Sequence, residues 1–306
     1  MKSAQYRLGL ALIIASTIAW STAGFFTRLI PLDAWTLLAW RGIFGGLGIA
    51  IASFFLEGRH FRLSIGPRGW LFAIVSAVAM ILFIVSLTLT TVAHVAVIYA
   101  IIPFVAAGLG WLILHERPSV HALVASAAAL IGVAVMMRLG TDGGWLGDAI
   151  AFAMTLCMAA MMVVARRFKN NSALRAAALS AFLSALACWP LGHPLAVSGH
   201  DLVLLAFFGL ANSALGIGLF ALGARYLPAV ETALIGALDA PLAPLWVWLA
   251  FNETPSGATL IGGLIVFAAV GTYLAIGAAK SRTAHAPLPC EAERETARSA
   301  VEGAGR

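Results

Sequence analysis

Apolar residues run along this chain in ten blocks, each separated from the next by a short polar interruption. A membrane-spanning helix needs about 20 largely apolar residues. The blocks near 8–29, 34–56, 69–91, 92–114, 120–138, 144–166, 173–191, 202–224, 230–251 and 256–278 have about that length. The pattern predicts an all-α integral membrane protein of ten transmembrane helices. Between the third and fourth blocks only TVAH (91–94) intervenes, which predicts a tight hairpin. The first block is too long for a cleaved signal peptide, lacks a clear small-residue cleavage site, and carries Trp20 and Phe25–Phe26 through its second half.

Composition agrees: 61% of residues are hydrophobic and 10% charged, too few charges to cover a soluble surface of this size. The net charge of +6 does not form a stripe suited to nucleic acid, because the basic residues fall between the apolar blocks. They serve orientation instead. With the N-terminus inside, Lys2, Arg7, Arg59, Arg62, Arg68, Arg117, Arg166, Arg167, Lys169, Arg175 and Arg225 lie inside, joined by five more after residue 279. Only Arg28 and Arg138 lie outside, and Arg41 lies within a span. The positive-inside rule therefore predicts a multi-pass inner (plasma) membrane protein with both termini cytoplasmic. Cys157, Cys188 and Cys290 read as free thiols, and residues 280–306 as a mostly disordered tail with a short helix around Glu291–Val301.

The chain also echoes itself. ILHERPSV (113–120) returns as AFNETPSG (250–257), and a shift of 137 places Trp111 on Trp248, Glu116 on Glu253, Pro118 on Pro255 and Ser119 on Ser256. Pro103 falls within one residue of Pro241, and a shift of 138 places Arg28 on Arg166. The chain reads as two five-helix repeats, 1–141 and 142–279. Five is odd, so the second repeat enters the membrane from the opposite side, as in transporters that alternate access around a midplane site.

IIPFVAAGLGWLILHERPS (101–119) and LDAPLAPLWVWLAFNETPS (238–256) resemble the paired signature of the drug/metabolite transporter superfamily, EamA type. In that signature a proline-containing helix closes on a Glu turn and a glycine-containing helix follows, here ALIGVAV (129–135) and LIGGLIVFAAVG (260–271). LGLALIIASTIAWSTAGFFTR (8–28) is similar to the family's first helix, and Arg41 matches a basic residue early in its second. Asn252 departs from the pattern, since a glycine commonly precedes the glutamate. The resemblance implies a carrier of amino acids, drugs or other metabolites.

Polar groups deep in a span have to be paired or face water. At about 1.5 Å per helical residue, Asp239, Asn212, Ser213, Trp20, Ser21 and Tyr99 lie near the midplane and form the expected substrate cavity. Pro103, Pro241 and Pro244 remove backbone donors beside them and are the expected helix-break or gating positions. Ser21 and Ser213 have the alternative of bonding their own backbone, and Asn212 that of joining helices. Arg41, Glu116 and Glu253 are expected in structural polar roles, and His94 as a solvated residue near the outer surface. Gly42–Gly46 and Gly209 are placed to let helices approach.

These features predict a secondary transporter exporting small amphipathic metabolites, most of all amino acids, by alternating access. A drug or quaternary-cation efflux carrier is the alternative. Its partners are a small-molecule substrate and the bilayer; nucleic acid, metals and cofactors have no role. Proton coupling and a homodimer stay open. An intramembrane enzyme is the rival from another class, but no nucleophile–base pair, His-x-x-x-His motif or phosphate loop supports catalysis.

Overall fold

The computed structural model describes residues 2–57, 65–137, 144–167, 172–252 and 254–283. Glu253, the junction expected at 141/142 and the segment 284–306, including the helix expected at 291–301, lie outside the described residues.

The described residues contain ten helices long and apolar enough to cross a membrane. Six spans are unbroken or nearly so. They contain α3 (Ala34–Glu57), α4 (Pro67–Leu89), α7 (Val120–Met137), α8 (Trp145–Arg166), α9 (Ser172–Cys188) and α14 (Gly257–Thr283). The other four are interrupted. The first divides at Thr22 into α1 (Lys2–Ser21) and α2 (Ala23–Leu29). The fourth divides into α5 (Val92–Tyr99) and α6 (Ile102–Leu109), followed by a π-helical turn, Gly110–Leu114. The eighth contains α10 (Gly199–Phe208), a π-helical segment Gly209–Ile217, and α11 (Gly218–Gly223). The ninth divides into α12 (Ala229–Gly236) and α13 (Asp239–Phe251).

Local chemistry sets several of these starts. Asp33 accepts from the Thr36 N–H (2.9 Å) and hydroxyl (2.6 Å), so it caps α3. Desolvation works to raise the Asp33 pKa, but these hydrogen bonds outweigh it and hold the carboxyl below its ordinary value. Thr91 caps α5, Ser198 caps α10, and Pro67 occupies the first turn of α4.

The interior is built from small residues. Ala173, Ala176, Ala177, Ala181 and Ala185 of α9 are buried, while Leu47, Ile51, Phe55, Trp70, Leu71 and Ile74 are exposed. This inverts the soluble pattern, because lipid is as apolar as leucine and close backbone approach is what holds spans together. A side chain on Gly42 would meet the Ala181 carbonyl and Ala185, and one on Gly209 would meet Phe44 and the Arg41 carbonyl. Gly42 thus lets α3 approach α9, and Gly209 lets it approach the π-helical segment.

The packing is mirrored between the two halves. α3 packs on α9 and the eighth span; α9 in turn packs on α3 and α4. α1 packs on the eighth and ninth spans, while α8 packs on α4 and the fourth span. The broken fourth and ninth spans meet through α6 and α12. Two five-helix repeats, inverted relative to each other, produce this exchange.

Candidate functional site

The broken helices define the centre. Adding 137 to the limits of α5 gives those of α12, and adding it to the start of α6 gives the start of α13. Each break lies just before a proline: Pro103 is the second residue of α6 and Pro241 the third of α13. Proline has no N–H, so the carbonyls of Tyr99, Ala237 and Ala240 lose their helical donors at Pro103, Pro241 and Pro244. The Ala237 carbonyl takes a tighter bond from the Ala240 N–H instead, at 3.3 Å. The repeated glutamate turns have a matching explanation: His115 (φ 57°) and Asn252 (φ 55°) are left-handed, the conformation that ends a helix and favours glycine or asparagine.

Asp239 opens α13 beside this break and is half-buried. It makes no hydrogen bond or ion pair with any described residue. Tyr99, the last residue of α5, is within electrostatic reach of it. Asp239 and Tyr99 thus lie beside the two breaks, within electrostatic range of each other.

The other four expected cavity residues form a second cluster between the first and eighth spans. Ser21 donates to the Ile18 carbonyl (2.7 Å) and accepts from the Trp246 indole N–H (2.8 Å). The Trp20 ring lies 5.2 Å from that of Phe220 and rests on Gly216. Asn212 is buried, and its polar atoms are engaged by protein: Oδ1 accepts from Arg41 Nη1 (3.1 Å), while Nδ2 donates to the carbonyls of Trp20 (2.9 Å) and Ala19 (3.3 Å). Ser213 is buried against Gly45. The π-helical geometry of Gly209–Ile217 presents these side chains, and the Gly216 carbonyl accepts from Ser16 at 2.7 Å. Arg41 lies over the Phe208 ring at 5.7 Å, so its partner is Asn212 rather than Asp239.

Asn212→Leu is therefore expected to destabilise the bundle by about 3 kcal/mol, since it strands a buried guanidinium and takes a donor from the Trp20 carbonyl, while the Ala19 carbonyl keeps its bond from Thr22. Thermal unfolding in detergent measures this.

A model of the EamA-like transporter family matches residues 7–138 and, a second time, residues 145–275. The chain belongs to the EamA-like transporter family. Members of this family are transporters, and the two matches fall on the two repeats. No curated protein matches the sequence. Several solved structures match, among them a crystal structure that shares the fold with a TM-score of 0.74 at 18% identity, covering 94% of this chain and all of the other.

At one end of this EamA-family bundle basic residues converge. Arg166, at the end of α8, donates from Nε to Glu116 Oε1 at 3.0 Å and from Nη1 to the Arg225 carbonyl. Arg167 donates to the Ile113 carbonyl at 2.7 Å, and Arg225 stacks over Tyr226 at 4.7 Å. Tyr6 of α1 donates to Glu231 of α12 at 2.9 Å. A pocket of about 80 Å³ lies among them, lined by Gly110, Glu116, Ser119, Ala229 and Glu231. At the opposite end Asp148 accepts from Thr90 (2.7 Å) and lies 3.0 Å from His94 Nδ1. His94 is thus paired and not simply solvated, because the hairpin places it over the start of α8.

Several of these partners carry little signal in sequence. Trp246, Glu231 and Tyr6 have no local motif, and which face of its helix each occupies is decided by tertiary packing. Arg166 was visible as the repeat partner of Arg28, but its bond to Glu116 was not.

Proposed function

We propose that this transporter exports small amphipathic metabolites, most of all amino acids, across the inner membrane by alternating access, with both termini in the cytoplasm. The observation that carries the reading is the pair of matched helix breaks with Asp239 on one of them and Tyr99 on the other. A carboxylate with no cation against it among the described residues suits the ammonium group of an amino acid. Tyr99 and Trp20 supply aromatic surface for an apolar side chain. Ser21, Asn212 and Ser213 hold the wall, and Pro103, Pro241 and Pro244 keep the backbone at the breaks irregular.

A drug or quaternary-cation carrier draws on the same carboxylate, because Arg41 is engaged by Asn212 rather than by Asp239. An aromatic ring beside it adds cation–π attraction.

Flux into sealed proteoliposomes distinguishes the two. Labelled L-amino acids should be taken up and competed by other amino acids, whereas uptake of tetraphenylphosphonium alone makes the chain a cation carrier. A chemically altered solute would indicate an enzyme. An imposed pH gradient in the same vesicles tests proton coupling. Orientation has its own measurement: a reporter active only in the periplasm should be silent when fused after residue 116 and active after residue 253. Matching signals at both would remove the orientation and the inversion together.

A further inference from the structure

The two ends of the bundle are closed differently. At the basic end α12 packs on α6, α7, α8 and α1. The other halves of the broken spans diverge: α5 packs on α7 and α8, whereas α13 packs on α1 and α2. Opening the basic end therefore means separating α12 from α6. One side chain bridges the chain on both sides of that seam. Arg166 holds Glu116, which follows the fourth span, and the carbonyl of Arg225, three residues before Pro228 and the start of α12. Glu116 belongs to the first repeat, Arg166 and Arg225 to the second.

We propose that Arg166 is the latch of the basic end: its guanidinium holds the α6–α12 seam shut, and one of its two bonds breaks each time that end opens. The proposal rests on the alternating-access reading. Geometry favours arginine for the task, because a planar fork satisfies a carboxylate with one edge and a carbonyl with the other, which a lysine does not do in one position. Both Arg166 and Glu116 are part-buried, so the pair is less screened than one fully in water. Tyr6–Glu231 ties α12 to α1 beside it and limits how far the end opens when the latch is lost.

Arg166 is a positioning residue, and its loss should be read as a shift between states. The test uses the full chain with Cys157, Cys188 and Cys290 replaced and a single reporter, Gly110→Cys, in the pocket beneath the seam. A side chain at Gly110 meets nothing closer than Ala229 Cβ at 4.0 Å, so the reporter fits. A membrane-impermeant maleimide is added at the Glu116 end of oriented vesicles. Losing one charge-assisted bond should raise the labelling rate about tenfold in Arg166→Gln. Glu116→Gln should raise it similarly, and the double variant no further than the larger single effect, because both remove the same bond. Unchanged labelling in the single variants, or fully additive effects, overturns the latch.

The parent, labelled with and without a mixture of the twenty L-amino acids, separates the two ideas. If its labelling ignores the mixture while transport proceeds, alternating access fails and the latch with it. If the parent responds and Arg166→Gln labels like the parent, the latch alone fails. Should Arg166→Gln not fold, Glu116→Gln, which keeps the shape of the side chain, decides the matter.

Discussion

Replacing Asp239 by asparagine is expected to lower transport roughly 10- to 100-fold, the kinetic equivalent of one lost charge-assisted contact, while the protein still folds. The carboxylate makes no hydrogen bond or ion pair with any described residue, so its loss strands nothing, in contrast to Asn212, whose polar atoms bind Arg41 and two carbonyls. Asparagine keeps the shape and removes the charge. Exchange of labelled amino acids in proteoliposomes measures the effect, and a thermal melt in detergent checks the fold. The pH profile then separates two uses of the group. A carboxylate that reads the substrate's ammonium leaves the variant unable to bind. One that carries a proton leaves binding intact and removes the pH dependence of exchange. Wild-type transport by Asp239→Asn at every pH would make the residue structural and end the site assignment.

The second large effect concerns stability. Gly132 of α7 and Gly262 of α14 lie against each other's backbone. A side chain on Gly132 would sit 2.7 Å from the Gly262 carbonyl and 2.8 Å from a Val266 methyl; one on Gly262 would lie on the Gly132 carbonyl. Backbone atoms do not swing aside, so the two last helices of the repeats would have to separate. Overpacking of this kind costs roughly 1–3 kcal/mol, and packing is the main adhesion between spans. Gly132→Leu is expected to lower the Tm by roughly 5–10 °C. Gly108→Ala, where an added methyl meets nothing within 4 Å, should leave it unchanged or raise it. Equal melting of the two variants would show that the α7–α14 approach is not a stability determinant.

The spans were legible because lipid imposes a length and an apolarity on every one of them, and the repeat because ERPS (116–119) and ETPS (253–256) each interrupt two apolar runs in the same way. The helix breaks were half-legible: the prolines were visible, but the break itself falls at Ala100–Ile101 and Ala237–Leu238, ahead of them. Asn252 looked like a departure from a glycine, and the structure gives the physical reason it serves. Asparagine tolerates the left-handed turn that the helix end requires, and His115 adopts it in the other repeat. The six expected cavity residues illustrate what depth alone does not convey. Residues at one depth point in different directions around their helices. Asp239 and Tyr99 lie beside the two breaks within electrostatic range of each other, whereas Asn212 turns to Arg41 and the backbone of α1. Nothing in the sequence of Gly209–Ile217 announces a π-helical winding, which alone decides where Asn212 and Ser213 point.

The break in the ninth span also has an electrical consequence. Asp239 is the eleventh of the 23 residues in Ala229–Phe251, so its charge sits about halfway through the voltage drop. A full crossing is worth about 2.3 kcal/mol per elementary charge per 100 mV. On the amino-acid reading the zwitterion brings a carboxylate along with its ammonium, so the loaded and the empty carrier hold the same single negative charge there. A quaternary cation would leave the loaded carrier neutral. The membrane potential would then bear on the loaded and the empty protein alike for an amino acid, and chiefly on the empty protein for a cation. The voltage dependence of the reset step thus reads the charge of the cargo.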